Sequence, residues 1–138
     1  MINFTTVETN FLLRNKLKVR NWIKLIVESE GKKAGDITYI FCNDAYLGSM
    51  NEKYLKHTSL TDIITFDYSE KDKLSGDVFI SIERVSENSA SYNTSLNQEL
   101  GRVMAHGVLH LAGYKDKEVE DIRVMRSKEE LYLATFPN

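Results

Sequence analysis

His106 and His110 stand four residues apart in His106-Gly107-Val108-Leu109-His110, a stretch whose apolar spacing reads as helix. Residues i and i+4 share one helix face, with Cβ atoms roughly 5–6 Å apart. Two imidazoles so placed can converge on one metal ion, since Zn–N bonds are about 2.0–2.1 Å. The next turn of the same helix would aim a third ligand badly. Gly113 solves this, because glycine takes the left-handed backbone that ends a helix. The chain can then fold back and present Asp116 to the same ion. Three protein ligands with an open fourth position describe a catalytic zinc rather than a structural one. The expectation is one Zn²⁺ per chain on His106, His110 and Asp116, with Glu118 and Glu120 next in line as third ligand. Nitrogen donors favour zinc over magnesium or calcium, which want oxygen cages. The bland alternative is a capped helix end carrying two solvated or core histidines.

A zinc of this kind lowers the pKa of its water and polarises a phosphoryl or carbonyl oxygen, so hydrolysis is the reaction class. In the metallopeptidase pattern His-Glu-x-x-His the Glu is the general base. Here that position is Gly107. Peptide hydrolysis is therefore disfavoured, and a small zinc metallopeptidase is kept only as the lesser alternative.

The elements that must position these residues follow from periodicity and capping. Residues 2–8 read as a strand, and 16–30 as an amphipathic helix with Val19, Trp22, Ile23, Ile26 and Val27 on one face. Gly31 and Gly35 bracket its exit. Residues 36–42 are a β-rich strand, and Asn43 or Asp44 caps a short helix carrying Tyr46, Leu47, Met50 and Tyr54. Strands follow at 63–68 and 78–82, with 71–76 as the turn between them. A helix bears Val85, Ser89 and Tyr92. Ser95 and Gln98 form a capping box opening the histidine helix, whose core face is Leu100, Val103, Met104, Gly107, Val108 and Leu111. His106 and His110 lie off that stripe, beside Arg102 and Glu99, which points them at a cleft. Gly107 costs roughly 1 kcal/mol of helix propensity against alanine, so close packing or substrate access must justify it. A last helix spans 119–133. The order predicts an α+β fold, one domain over 1–138, with a small mixed four-stranded sheet packed with about five helices.

Composition excludes other classes. The 138 residues are 42% hydrophobic and 28% charged, ordinary for a globular protein, and no apolar run is long enough to cross a bilayer. The N-terminal residues carry neither a basic nor an apolar signal region, and the single Cys42 cannot form an internal disulfide. Both fit a cytoplasmic protein. Cys42 reads as a small buried hydrophobe rather than a nucleophile. A net charge of −2 rules out a globally electrostatic nucleic-acid binder. Arg14, Lys16, Lys18, Arg20 and Lys24 form a basic block. Glu118, Glu120, Asp121, Glu129 and Glu130 load the last helix and read as a solvated face.

The stretch from His106 to Tyr114 with an acid nearby resembles the signature of the YbeY family of bacterial rRNA-maturation endoribonucleases. Further matches fall in order at Asn51 to Tyr54, Thr61-Asp62-Ile63-Ile64-Thr65-Phe66 and Gly76-Asp77-Val78-Phe79-Ile80-Ser81. The likeness runs roughly from Asp36 onward. It implies a cytoplasmic, single-metal endoribonuclease acting on single-stranded or flexible ribosomal RNA, at the 3′ end of the small-subunit RNA, with a role in ribosome quality control. The small ribosomal subunit is the implied partner, with no membrane or DNA. Two departures stand out. The family usually has a third histidine where this chain has Asp116, and an arginine where it has Leu55. Lys53 and Lys56 are the candidate phosphate contacts in place of that arginine, and His57 lies in the same region. Asp62 and Asp77 match family positions, yet each fits a strand start or turn equally well. A ribosome-assembly factor with RNA-binding activity and a mainly structural metal is the alternative from the binding class.

Overall fold

In the computed structural model, which describes residues 1–55 and 61–137, the chain forms a four-stranded sheet with helices on both faces. The elements are β1 (Ile2–Thr6), α1 (Lys16–Ser29), β2 (Lys33–Cys42), α2 (Asp44–Met50), a π-helical turn (Asn51–Leu55), β3 (Ile63–Asp67), β4 (Lys73–Ser81), α3 (Ile82–Ser91), α4 (Leu96–Leu111) and α5 (Val119–Leu133). Strand order is β1-β2-β4-β3, with β1, β2 and β4 parallel and β3 antiparallel to β4 at one edge. The expected mixed four-stranded sheet with about five helices is the fold found.

Alternation along the strands divides the apolar residues between two clusters. Ile37, Tyr39 and Phe41 of β2, with Val78 and Ile80 of β4, pack with Ile23, Ile26 and Val27 of α1 and Met104 and Val108 of α4. On the other face Cys42, Leu47 and Ile64 form a smaller cluster with Tyr46, Phe66 and Phe79. Cys42 is fully buried, and burial together with the Asp44 charge pushes its thiol up to about 12. It is a packing residue. Hydrogen bonds cross between the layers: the Tyr39 hydroxyl donates to the Met104 carbonyl at 2.8 Å, and the Trp22 indole to the Tyr132 carbonyl at 2.9 Å.

Two boundaries differ from the sequence reading. Strand β2 starts at Lys33, so Gly35 lies within it, at an irregularity in its register with β4, rather than bracketing the helix exit. Residues 73–76 belong to β4, not to a turn. The chain reverses at Lys71 and Asp72, with Lys71 at φ +54° and Glu70 and Lys73 exchanging both backbone bonds, at 3.0 and 2.9 Å. Position 76 is glycine because a Cβ there would collide with the Phe66 carbonyl and meet Leu111 at 2.7 Å. The missing side chain records close packing rather than a turn.

Helix α4 begins where Ser95 caps it, its hydroxyl accepting the Gln98 N–H at 3.1 Å. Gly107 lies at the closest approach of this helix to the sheet. A Cβ there would sit 2.7 Å from Val78 Cγ1 and 3.2 Å from Ile63 Cδ1. Close packing accounts for the glycine. At the other end Gly113 takes φ +106°, with Gly113 N–H donating to the His110 carbonyl (3.0 Å) and Tyr114 N–H to that of Leu109 (3.1 Å). This pair of bonds is the Schellman arrangement, which stops the helix and reverses the chain. No described helix is long and apolar enough to cross a membrane.

Candidate metal centre

The reversal at Gly113 brings Asp116 back over the face of α4 that carries the histidines. Asp116 Oδ2 lies 3.1 Å from His106 Nε2 and 3.3 Å from His110 Nε2. The imidazole centroids are 4.6 Å apart and the rings nearly perpendicular, at 77°. Among the described residues these three alone form a cluster of metal-binding type, with donor atoms within 4.8 Å of one another. For tetrahedral zinc with bonds of 2.0–2.1 Å, neighbouring donors lie about 3.3 Å apart. Two nitrogens and one carboxylate oxygen at these separations fit that ion. All three residues are partly exposed and lie on the wall of a cleft of about 610 Å³, which would leave an ion held by them open to solvent. Asp116, the third ligand expected from the sequence, is thus grouped with both histidines. Glu118 stands at the N-cap position of α5, outside this cluster, and Glu120 pairs with Arg123 on the surface of α5.

A second layer holds the first. His106 Nδ1 lies 2.5 Å from Glu129 Oε2. A carboxylate acceptor there makes Nδ1 the protonated nitrogen and leaves the Nε2 lone pair for a metal. The Glu129 side chain is 2% exposed. Burial pushes its carboxyl up, but the hydrogen bonds from His106 and Arg102 and the guanidinium charge outweigh this and hold it below its ordinary value. Arg102 donates to Glu129 at 3.1 Å and to both oxygens of buried Glu99, at 2.9 and 2.6 Å, and lies 3.7 Å from Asp62. Four elements are thus locked around one guanidinium: α4, α5, the start of β3 and, through an Asn88–Asp62 bond, α3.

Glu129 corrects the sequence reading, which took the acidic residues of the last helix as one solvated face. It falls in phase with Met125 and Tyr132, at i+4 and i+7 on the buried side of α5. A carboxylate on such a stripe requires a cation or imidazole opposite, and that phase was the signal available. Of the other residues singled out, Leu55 and Asp62 line the cleft, and Asp77 sits mid-strand between Thr38 and Phe66, away from it. Lys53 lies 5.2 Å over the Tyr54 ring rather than on the cleft wall. Lys56 and His57 lie outside the described residues. The basic block belongs to α1 and the segment before it, where Arg20 donates to the Ile2 carbonyl.

The family model described as Endoribonuclease YbeY matches residues 3–137. The chain belongs to the YbeY family. It is 49% identical over 136 residues to an Endoribonuclease YbeY of Flavobacterium johnsoniae, covering 99% of this chain and 97% of that one. It is 48% identical to that of Flavobacterium psychrophilum, covering 99% and 96%. Among solved structures it is similar to the solution structure of TM1509 from Thermotoga maritima, with a TM-score of 0.67 and 25% identity over 99% of this chain and 89% of that one. YbeY membership covers β1 and α1 as well, beyond the stretch in which the sequence motifs were legible.

Proposed function

We propose that this protein is a single-strand-specific, zinc-dependent endoribonuclease that matures ribosomal RNA in the cytoplasm, at the 3′ end of the small-subunit RNA. Phosphodiester hydrolysis comes with the family. The observation that carries the metal reading is the convergence of His106, His110 and Asp116 on the wall of an open cleft.

His106 and His110 would hold the ion through Nε2 and Asp116 through Oδ2. When bound, zinc supplies Lewis acidity, making water a nucleophile near neutral pH and polarising a phosphoryl oxygen. The protein's own part is positional. Glu129 fixes the His106 tautomer, Arg102 fixes Glu129, and the Gly113 reversal aims Asp116. The Asp116 carboxylate reduces the net charge of a dication site from +2 to +1.

Peptide hydrolysis lacks its general base at the expected helix position. Gly107 occupies the position of the peptidase glutamate, and Val78 leaves no room for a side chain. Glu129 is committed to Nδ1, on the far side of the imidazole from Nε2. The alternative of an RNA-binding assembly factor with slow cleavage draws on Leu55, an apolar residue on the cleft wall where the family usually has arginine.

Incubating the purified protein with labelled ribosomal RNA and with casein, each with and without chelator, separates these readings. Chelator-sensitive RNA cleavage restored by zinc supports the proposal. RNA binding without cleavage favours the assembly factor, and casein hydrolysis favours the peptidase.

A further inference from the structure

A phosphodiester chain brings one negative charge per nucleotide into a cleft whose described wall already carries Asp62, Asp67 and Asp116. Two cationic side chains, Arg102 and Lys117, stand on that wall among the described residues. Arg102 is spoken for: Glu99, Glu129 and Asp62 surround its guanidinium at 2.6, 3.1 and 3.7 Å. Turning it toward substrate would strand two buried carboxylates, which is strongly unfavourable. Lys117 is the opposite case. It follows Asp116 directly, in the segment between the Gly113 reversal and α5. It is exposed, and it pairs with no carboxylate among the described residues.

We propose that the Lys117 ammonium is a phosphate contact of this cleft, binding a non-bridging oxygen of the RNA backbone beside the His106–His110–Asp116 centre. The inference rests on the endoribonuclease reading above. A lysine suits the role, being a compact point charge on a flexible stem that can follow a backbone phosphate. Its attachment next to Asp116 means that the same loop that completes the metal ligands also brings the charge.

The test compares zinc-loaded parent protein with Lys117→Gln, Lys117→Arg and, as a charge-matched control at an exposed position of α1, Lys24→Gln. Binding of a fluorescent single-stranded RNA is measured by anisotropy across a salt series, alongside cleavage kinetics and zinc content. For Lys117→Gln, Kd and KM rise about tenfold and the logarithmic salt slope falls by about 1. Its kcat and zinc content stay at the parent values. Lys117→Arg retains binding, and Lys24→Gln matches the parent. If Lys117→Gln binds RNA with the parent's Kd and slope, the contact is refuted while the endoribonuclease reading stands. Loss of zinc in Lys117→Gln also overturns it, because the residue would then act through Asp116. If the zinc-loaded parent neither binds nor cleaves RNA, the underlying reading fails and the contact falls with it.

Discussion

Glu129 Oε2 lies 2.5 Å from His106 Nδ1, although the two residues are 23 positions apart and on different helices. The bond makes α5 part of the candidate metal site without contributing one of its three grouped residues. Outer-shell carboxylates of this kind typically account for 10- to 100-fold in metal affinity. Glu129→Gln should therefore weaken zinc binding by about tenfold or more, read by competition with a chromophoric chelator. Unchanged affinity would show that packing alone orients His106.

Removal of a ligand has a different signature. His110→Ala should stay folded by circular dichroism, since its side chain is partly exposed, yet come out of purification poor in metal. Stoichiometric metal in the His106→Ala, His110→Ala double variant would rule out this site.

Asp116→Ala leaves two nitrogen ligands and should lose affinity, whereas Asp116→His restores a third donor and should retain the ion. Zinc content measured after dialysis distinguishes them. Parent-like affinity in Asp116→Ala would place the third ligand elsewhere.

Gly107→Ala sets local propensity against packing. Alanine gains roughly 1 kcal/mol of helix propensity, but its Cβ would sit 2.7 Å from Val78 Cγ1. Overpacking of this sort costs about 1–3 kcal/mol. Chemical unfolding should show a net loss of stability, and relief by a second change, Val78→Ala. A more stable Gly107→Ala would mean that the helix shifts freely over the sheet.

Glu30 gives a pH dependence away from the metal centre. It is the C-cap of α1 and accepts from the Tyr114 hydroxyl at 2.5 Å, from Lys128 at 3.1 Å, and from the Tyr132 hydroxyl. Burial pushes its carboxyl up, but these three donors outweigh it and hold it below the ordinary value of 4.5. A carboxyl lowered by folding stabilises the native state above its unfolded pKa and loses that contribution as pH falls through the folded pKa. Glu30→Gln should therefore be less stable than the parent at pH 7, with the gap closing below about pH 4.5. A gap independent of pH would mean that the carboxylate charge contributes nothing.

The local sequence settled whatever depends on short-range periodicity and backbone chemistry. The four-residue histidine spacing fixes their common helix face, and glycine at 113 permits the positive φ that returns Asp116, so the candidate ligand cluster is legible within eleven residues. The strand and helix order was legible too, because alternation and 3.6-residue spacing depend on which side of an element is buried. Tertiary structure alone decided the rest. Gly76 and Gly107 are glycines because neighbouring elements come too close for a Cβ, and no local pattern records such an approach. Glu129 is buried because α5 lays one face on α4, and the compensating His106 and Arg102 belong to another helix. Charge patterning along one helix cannot distinguish a solvated carboxylate from a buried one. Only the partner brought opposite by folding determines which it is.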